Sequence, residues 1–545
     1  MYPANHDNCS TKEPLATVGN KKLAHVSVFV AKNNFLERRI HSPIYNELNE
    51  LNLIYMPLEF RVGTFSRSLV SAEVISLQKP EDTECLKHGD HVEHWGHVFE
   101  WDEHYLTASQ LQPWRVKGDP LCDKALEEVF SDINVSVGHD LLECVLRKAA
   151  ENPSGPAASF LTEVSRIPPE RIVASPEELR NAHKFYLKNS VAIMQSLNYF
   201  TLAGGFASPG ITRVLHSVSY LVESKKDKTE QSQTTKDRTY LRLAETFQFV
   251  LEVMGCTTQS DFSQDNFHNY LFPGGDGWKA VLRIRLLHGV ARRRALKKLK
   301  DAKTDEIPIN QEDLAATLGG FSAAPLLCLP RQYPVFLRNK TSIMEEAAFV
   351  ALWRHVGFYL GVDSYFLLNH FSSPEVATRF LISIICHLLP SKVDSNTFDP
   401  PTVPLLQAIA NRPPFPKSFE YNSAVSRKLL GNPLSTHLGL PPTTSFRLKL
   451  RITRDFFIVQ LPVLFGQVYS RKGWDERRLS LTKMGLERLV RFQLGLRQTS
   501  YRPRNEQGEL DEKVSRLEHS ELEPGGREKF IKGWRDLMIE MTLNI

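Results

Sequence analysis

From Asp119 onward, apolar side chains return every three or four positions, and the pattern persists to about residue 390. A period near 3.6 gathers those residues on one face of a helix, so the stretch is committed to helices sharing a core. Asp119-Pro120 is a strong start, a capping aspartate followed by proline in the first turn, and its helix reaches about Phe130. Further helices are predicted over 140–151, 176–187, 190–202, 212–223, 239–254, 277–300, 311–318, 342–360 and 374–388. The expectation is an all-α fold with one large helical domain over 106–390. Residues 1–105 form an N-terminal extension or lid, in which 51–62 contains an extended stretch. The polar run 224–237 reads as a solvated loop. Residues 391–445 are dense in proline and read as a long connection with few regular elements. Residues 446–545 form a C-terminal helical extension, with helices at 475–494 and 525–541.

The 545-residue chain is 42% hydrophobic and 24% charged, the balance of an ordinary globular protein. Its net charge of +5 is small for this length, which argues against a nucleic-acid partner. Seven cysteines without a CxxC pair argue against a disulfide framework or thiolate zinc site, and so for a reducing compartment. Residues 1–17 are polar and do not read as a signal peptide. No window supplies the roughly 18 uninterrupted apolar residues of a transmembrane helix. The expected location is therefore intracellular, cytoplasmic or peripherally attached to an endomembrane. The segment from Phe446 alternates apolar and basic residues before DFFIVQLPVLF. It suits either peripheral contact with an anionic membrane surface or a tail element covering the main domain.

Within the helix at 281–295, Val281, Ile284, His288, Ala291 and Ala295 share one stripe. A buried imidazole there must be hydrogen-bonded or bind something, since an unsatisfied ring nitrogen costs roughly 1–3 kcal/mol. Both readings stay open: a core histidine bonded to a carbonyl, or a ligand to iron. His355, set among Ala351, Trp353, Phe358 and Tyr359, is its rival. On the helix at 239–254, Arg242, Glu245, Thr246 and Phe249 lie on one face of an otherwise apolar segment. They form either a local ion pair on a wet face or a polar wall over a cofactor. His88, His91, His94, His97 and His104 crowd together, but their spacing suits an amphipathic packing segment better than a metal site.

RLAET, RIRLLHGVARR, PINQEDLAATLGGF (308–321) and EEAAFVALWRHVGFYLGV (345–362) occur in that order. Together they resemble the rubber oxygenase, or latex-clearing protein, family. That family includes the fungal endoplasmic-reticulum-bound oxygenase of mycophenolic acid biosynthesis, a secondary-metabolism enzyme. The resemblance covers roughly 115–390. It implies haem b in an all-α fold like a globin core, using O2 to cleave a carbon–carbon double bond in a hydrophobic isoprenoid. By position, His288 would be the iron ligand, and Arg242 and Thr246 would match the distal arginine and threonine. Latex-clearing proteins carry lysine where this chain has Glu245, which would instead accept a proton or partner Arg242. Arg285 and Arg292, with Arg283 and Arg354 as further candidates, would meet the haem propionates. The family's separate catalytic glutamate precedes the arginine helix; the polar insert breaks the register there, leaving only Glu223 as a candidate. Two other classes compete: a haem-binding sensor or inactive relative, and a cofactor-free membrane-associated helical scaffold.

Overall fold

The computed structural model describes residues 74–505 apart from 219–232, 258–266, 300–304, 334–341, 392–398, 413–415, 444, 470–472, 495–498 and 500, together with residue 532. The predictions at 51–62 and Glu223, and most of the polar run 224–237 and of 525–541, lie outside the described residues.

The principal helices are α1 (Pro120–Val129), α2 (Leu141–Glu151), α3 (Pro156–Val164), α4 (Pro176–Ser196), α5 (Pro209–Val218), α6 (Gln233–Val253), α7 (Asp276–Lys298), α8 (Gln311–Gln332), α9 (Ile343–Leu360) and α10 (Pro374–Leu388). After these come α11 (Thr402–Ala408), α12 (Phe419–Leu430), α13 (Asn432–His437), α14 (Phe446–Tyr469) and α15 (Trp474–Gln493). The fold is thus mostly all-α, with one small sheet among the described residues: β1 (Val74–Ser76) runs parallel to β2 (His91–His94), which pairs antiparallel with β3 (His97–Glu100).

The predicted break between 187 and 190 does not occur. Asn189 donates to the Phe185 carbonyl at 3.0 Å and Ser190 to that of Leu187 at 3.5 Å, so both polar side chains are satisfied within α4. A π-helical turn, Leu197–Leu202, continues from its end. The predicted stop at 318 is also overrun, and α8 passes through Pro325 and Pro330. Proline inside a helix costs about 3 kcal/mol, but the residues around these two, Ala323, Ala324 and Cys328, are wholly buried, and that packing offsets the loss. By length and composition α8 could cross a membrane, yet 56% of its most apolar window is buried within the protein.

The proline-rich stretch is not a bare connection. It holds α11, α12 and α13, where Pro433 occupies the first turn of α13 and so needs no backbone donor. Leu406, Val425, Leu429 and Leu430 join the same core as the helices before residue 390. The histidine-rich segment is a hairpin with a two-residue turn, Trp95-Gly96, both at positive φ. Its inward His94 and His97 bond the carbonyls of Leu389 (3.0 Å) and Leu430 (2.9 Å). No group of three or more potential ligands suited to a metal ion occurs among the described residues.

α7 runs through the middle of the molecule, packed by α1, α2, α5, α6 and α9. Its N-cap, Gly275, lies against the preceding turn so closely that a Cβ would meet the carbonyl oxygens of Asn269 and Tyr270, the latter at 2.4 Å. Those are backbone atoms and cannot swing aside. Gly275→Ala is expected to lower stability by about 1–3 kcal/mol, read as a lower urea midpoint with unchanged slope. An unchanged midpoint would show that this approach does not set the position of α7.

Candidate active site

The two faces singled out in the sequence belong to adjacent helices, α6 and α7. On α7 the predicted stripe divides. Val281 and Ala295 are fully buried, whereas Ile284, His288 and Ala291 keep some accessible surface. His288 is nonetheless enclosed by protein, and its proton affinity falls to about 4. Loss of solvation is the main cause, and the positive charge of Arg292 adds to it. Asp119 opposes the shift, and Arg242 on α6 reinforces it, so the arginine of one face acts on the imidazole of the other. The ring is neutral at physiological pH. Its Nδ1 is sealed and has no hydrogen-bond partner; its Nε2 is not sealed and bonds no described residue.

His355 differs. Its Nδ1 accepts from the Ala174 amide at 3.2 Å, and its Nε2 donates to the Leu271 carbonyl at 3.2 Å. Both nitrogens of this rival are consumed by backbone, and the side chain is wholly buried.

Arg285 and Arg292 do not stand free. Arg285 forms a two-pronged pair with Asp119, at 2.7 and 2.9 Å, and Arg292 pairs with Asp123 at 3.0 Å. Both arginines line a cleft of about 860 Å³ between α1, α3, α7 and the end of α9, and His288 is not part of its wall. Arg292 retains a sealed, unbonded Nε. Arg283 pairs with Asp140, and Arg354 donates to the Ile172 and Phe371 carbonyls. The four arginines expected at an anionic group are thus engaged by the protein.

On α6, Arg242 is half-buried and Thr246 exposed; Thr246 donates to the Arg242 carbonyl at 3.1 Å. Glu245 turns into the protein and is 4% exposed. One carboxylate oxygen accepts from Arg242 at 2.5 Å and the other from Arg504 at 2.5 Å. Burial works against its charge, but the two guanidinium groups outweigh burial and hold its proton affinity below the ordinary carboxylate range. A carboxylate so held is a poor proton acceptor. Of the two roles expected for Glu245, the structure favours partner of Arg242.

Arg504 belongs to a C-terminal segment that no local motif marked. Thr499 and Gln248 exchange two hydrogen bonds, at 2.8 and 3.1 Å. Tyr501 donates to Glu252 at 2.6 Å, and the Arg504 carbonyl accepts from Arg294 on α7 at 2.8 Å. Pro503 and Arg502 bond Gly138. The segment thereby joins α6 to α7 along the side of α6 that carries Glu245, Gln248 and Glu252.

Residues 187–457 match the family described as ER-bound oxygenase mpaB/B'/Rubber oxygenase, catalytic domain. Among solved structures, the chain is similar to one described as "Structure of Latex Clearing Protein LCP in the closed state". Identity is 14% over 80% of this chain and 92% of that one, with a TM-score of 0.41. No curated protein matches the chain.

Two outcomes follow from the C-terminal segment. Arg504→Ala leaves one oxygen of Glu245 without its cation and is expected to cost about 1.5–3 kcal/mol in urea unfolding; Arg504→Lys should recover part of it. Burial also raises Glu252 to about 7. Unfolded, that carboxyl loses its proton near about 4.3, so the folded state binds the extra proton in between. Stability from this group is present at low pH and falls as pH rises through that window, by an amount on the order of 3 kcal/mol. Glu252→Gln should flatten the fall, measured as unfolding free energies at about pH 5 and about pH 8. Identical slopes in both proteins would remove Glu252 as the cause.

Proposed function

Because residues 187–457 carry the catalytic domain of the mpaB/B' and rubber oxygenase family, an oxygenase family, we propose that this protein is a haem b-dependent oxygenase acting with O2 on a hydrophobic, isoprenoid-like substrate. One observation carries the haem reading: an enclosed, neutral imidazole, His288, whose unsealed Nε2 bonds no described residue. Neutral imidazole is the form that ligates iron. The residues around it fit the group. Ile284, Leu287 and Ala291 give the same side of α7 a half-buried apolar surface, of the kind a porphyrin face covers. In this reading His288 holds the iron through Nε2, and haem, when bound, supplies the dioxygen chemistry of the cleavage.

The chain's own residues orient and exclude. Arg242 acts on the His288 imidazole from α6 through its charge, and its guanidinium is held by Glu245. Its positive charge is suited to steer a polar atom of the bound reactants. Thr246, one turn on, presents a hydroxyl bonded to the Arg242 carbonyl and adds a second polar contact on that face. Glu245 acts through Arg242: its charge fixes the arginine, and it neither donates nor removes a proton. Arg285 and Arg292 are spoken for by Asp119 and Asp123, so neither is offered to an acidic substituent of the haem.

The test is a haem titration followed by absorption spectroscopy. Protein with haem supplied should show a Soret band, and His288→Ala should lose it or bind haem at least tenfold more weakly, while His355→Gln retains it. A band unchanged in His288→Ala would overturn the assignment. Stable binding of O2 by the reduced protein, with no product from a panel of terpenoids, would leave a sensor in place of the enzyme.

A further inference from the structure

α14 carries two apolar stripes, and only one of them meets the protein. Leu448, Ile452, Phe456 and Gln460 recur every fourth residue and turn inward; Ile452 and Phe456 are 5% and 4% exposed. Phe446, Leu450, Phe457 and Leu461 lie within an arc of about 60° on the other side, at about 100° per residue. They are 71%, 59%, 43% and 44% exposed. Ile458, also exposed, widens the stripe at one end. From Phe446 to Leu461 the stripe runs roughly 22 Å, at about 1.5 Å per residue. Soluble proteins rarely leave a continuous apolar strip of that kind facing water.

The charges on the helix fix what should cover it. Lys449 borders the stripe on one side, and Arg454, Arg447 and Arg451 border it on the other; all four are exposed. The one acidic residue of the described part of the helix, Asp455, faces away, its side chain 13% exposed and held by Lys417. An apolar stripe between two basic borders, with no carboxylate on the outer face, matches a phospholipid surface of negative charge. We propose that α14 docks the protein flat on an anionic membrane, the stripe sunk below the headgroups and Arg447, Lys449 and Arg451 on the phosphates. This rests on the geometry of α14 alone and stands or falls separately from the haem site.

Flotation of the full-length protein with vesicles decides it. Partition into vesicles with about 30% phosphatidylserine should exceed that into pure phosphatidylcholine by at least tenfold and fall at about 0.5 M salt, because the basic residues are each worth about fivefold near such a surface. Leu450→Asp with Phe457→Asp should abolish flotation, and Arg447→Glu with Lys449→Glu should abolish the preference for anionic lipid; both pairs replace exposed side chains and should leave the thermal midpoint unchanged. Absence of flotation with either vesicle, or equal flotation of the Asp pair, would overturn the proposal. So would a dimer in sedimentation that the Asp pair dissociates, since the stripe would then be an interface between copies of the chain.

Discussion

The buried pair between Asp119 and Arg285 sets the position from which every other feature of the site is measured. Asp119 receives the Cys122 amide as the cap of α1 and, with the same carboxylate, both prongs of Arg285 on α7. Arg285 also donates to the Tyr359 carbonyl near the end of α9 at 3.4 Å. One carboxylate thus ties the start of one helix to the middle of a second, and the guanidinium extends the tie to the end of a third. Such a pair is costly to desolvate and adds little net stability, but its geometry admits few alternatives. Gly361 makes room for it: the residue sits at φ +81° where α9 ends, and a Cβ there would stand 2.6 Å from the Arg285 Nε. With Arg285 fixed, α7 cannot rotate about its axis, and His288, three residues on, is aimed by the same constraint.

A second constraint is the charge of Glu245. Buried beside Arg242, it is also reached by a second cation. A glutamate at that depth needs more than one donor, because each carboxylate oxygen left unbonded away from water costs on the order of 1–3 kcal/mol. The chain supplies the second donor from Arg504, well beyond the residues that match the family domain. Glu245 and the C-terminal segment therefore belong together: the segment supplies the second cation on the buried carboxylate. It also explains why Glu245 and Thr246, neighbours on one helix, have separate fates, the first turned to the tail and the second left exposed.

What could be read in the sequence was what is local. Helix starts with a capping side chain were placed within a residue or two, as at Asp119, Asp140, Asn310 and Ser342. Ends and interruptions were read less well, because Asn189, Ser190 and Pro325 are breakers only where burial does not outweigh them. The proline-rich stretch was misread for the same reason, since a proline in the first turn of a helix removes no bond. At the site, the faces of α6 and α7 were legible from period alone. Their charge partners were not: Asp119 looked like a cap and nothing more, and Arg504 lies 259 residues from the carboxylate it neutralises. Pairings at that separation leave no trace in a window of any useful length.

Four buried histidines separate burial from availability. His183, His288, His355 and His370 are all pulled down to about 4, in each case chiefly by loss of solvent. A depressed proton affinity therefore does not distinguish a site. His183 donates Nδ1 to the Met254 carbonyl at 2.6 Å, and His355 spends both nitrogens on backbone. His370 has two unbonded nitrogens, but both are sealed, and its ring is stacked on Phe380 with centroids 4.9 Å apart. A nitrogen sealed by packed side chains is an energetic debt without a remedy, because nothing can reach it. His288 differs from the other three: its side chain keeps some accessible surface, and its unsealed Nε2 bonds no described residue.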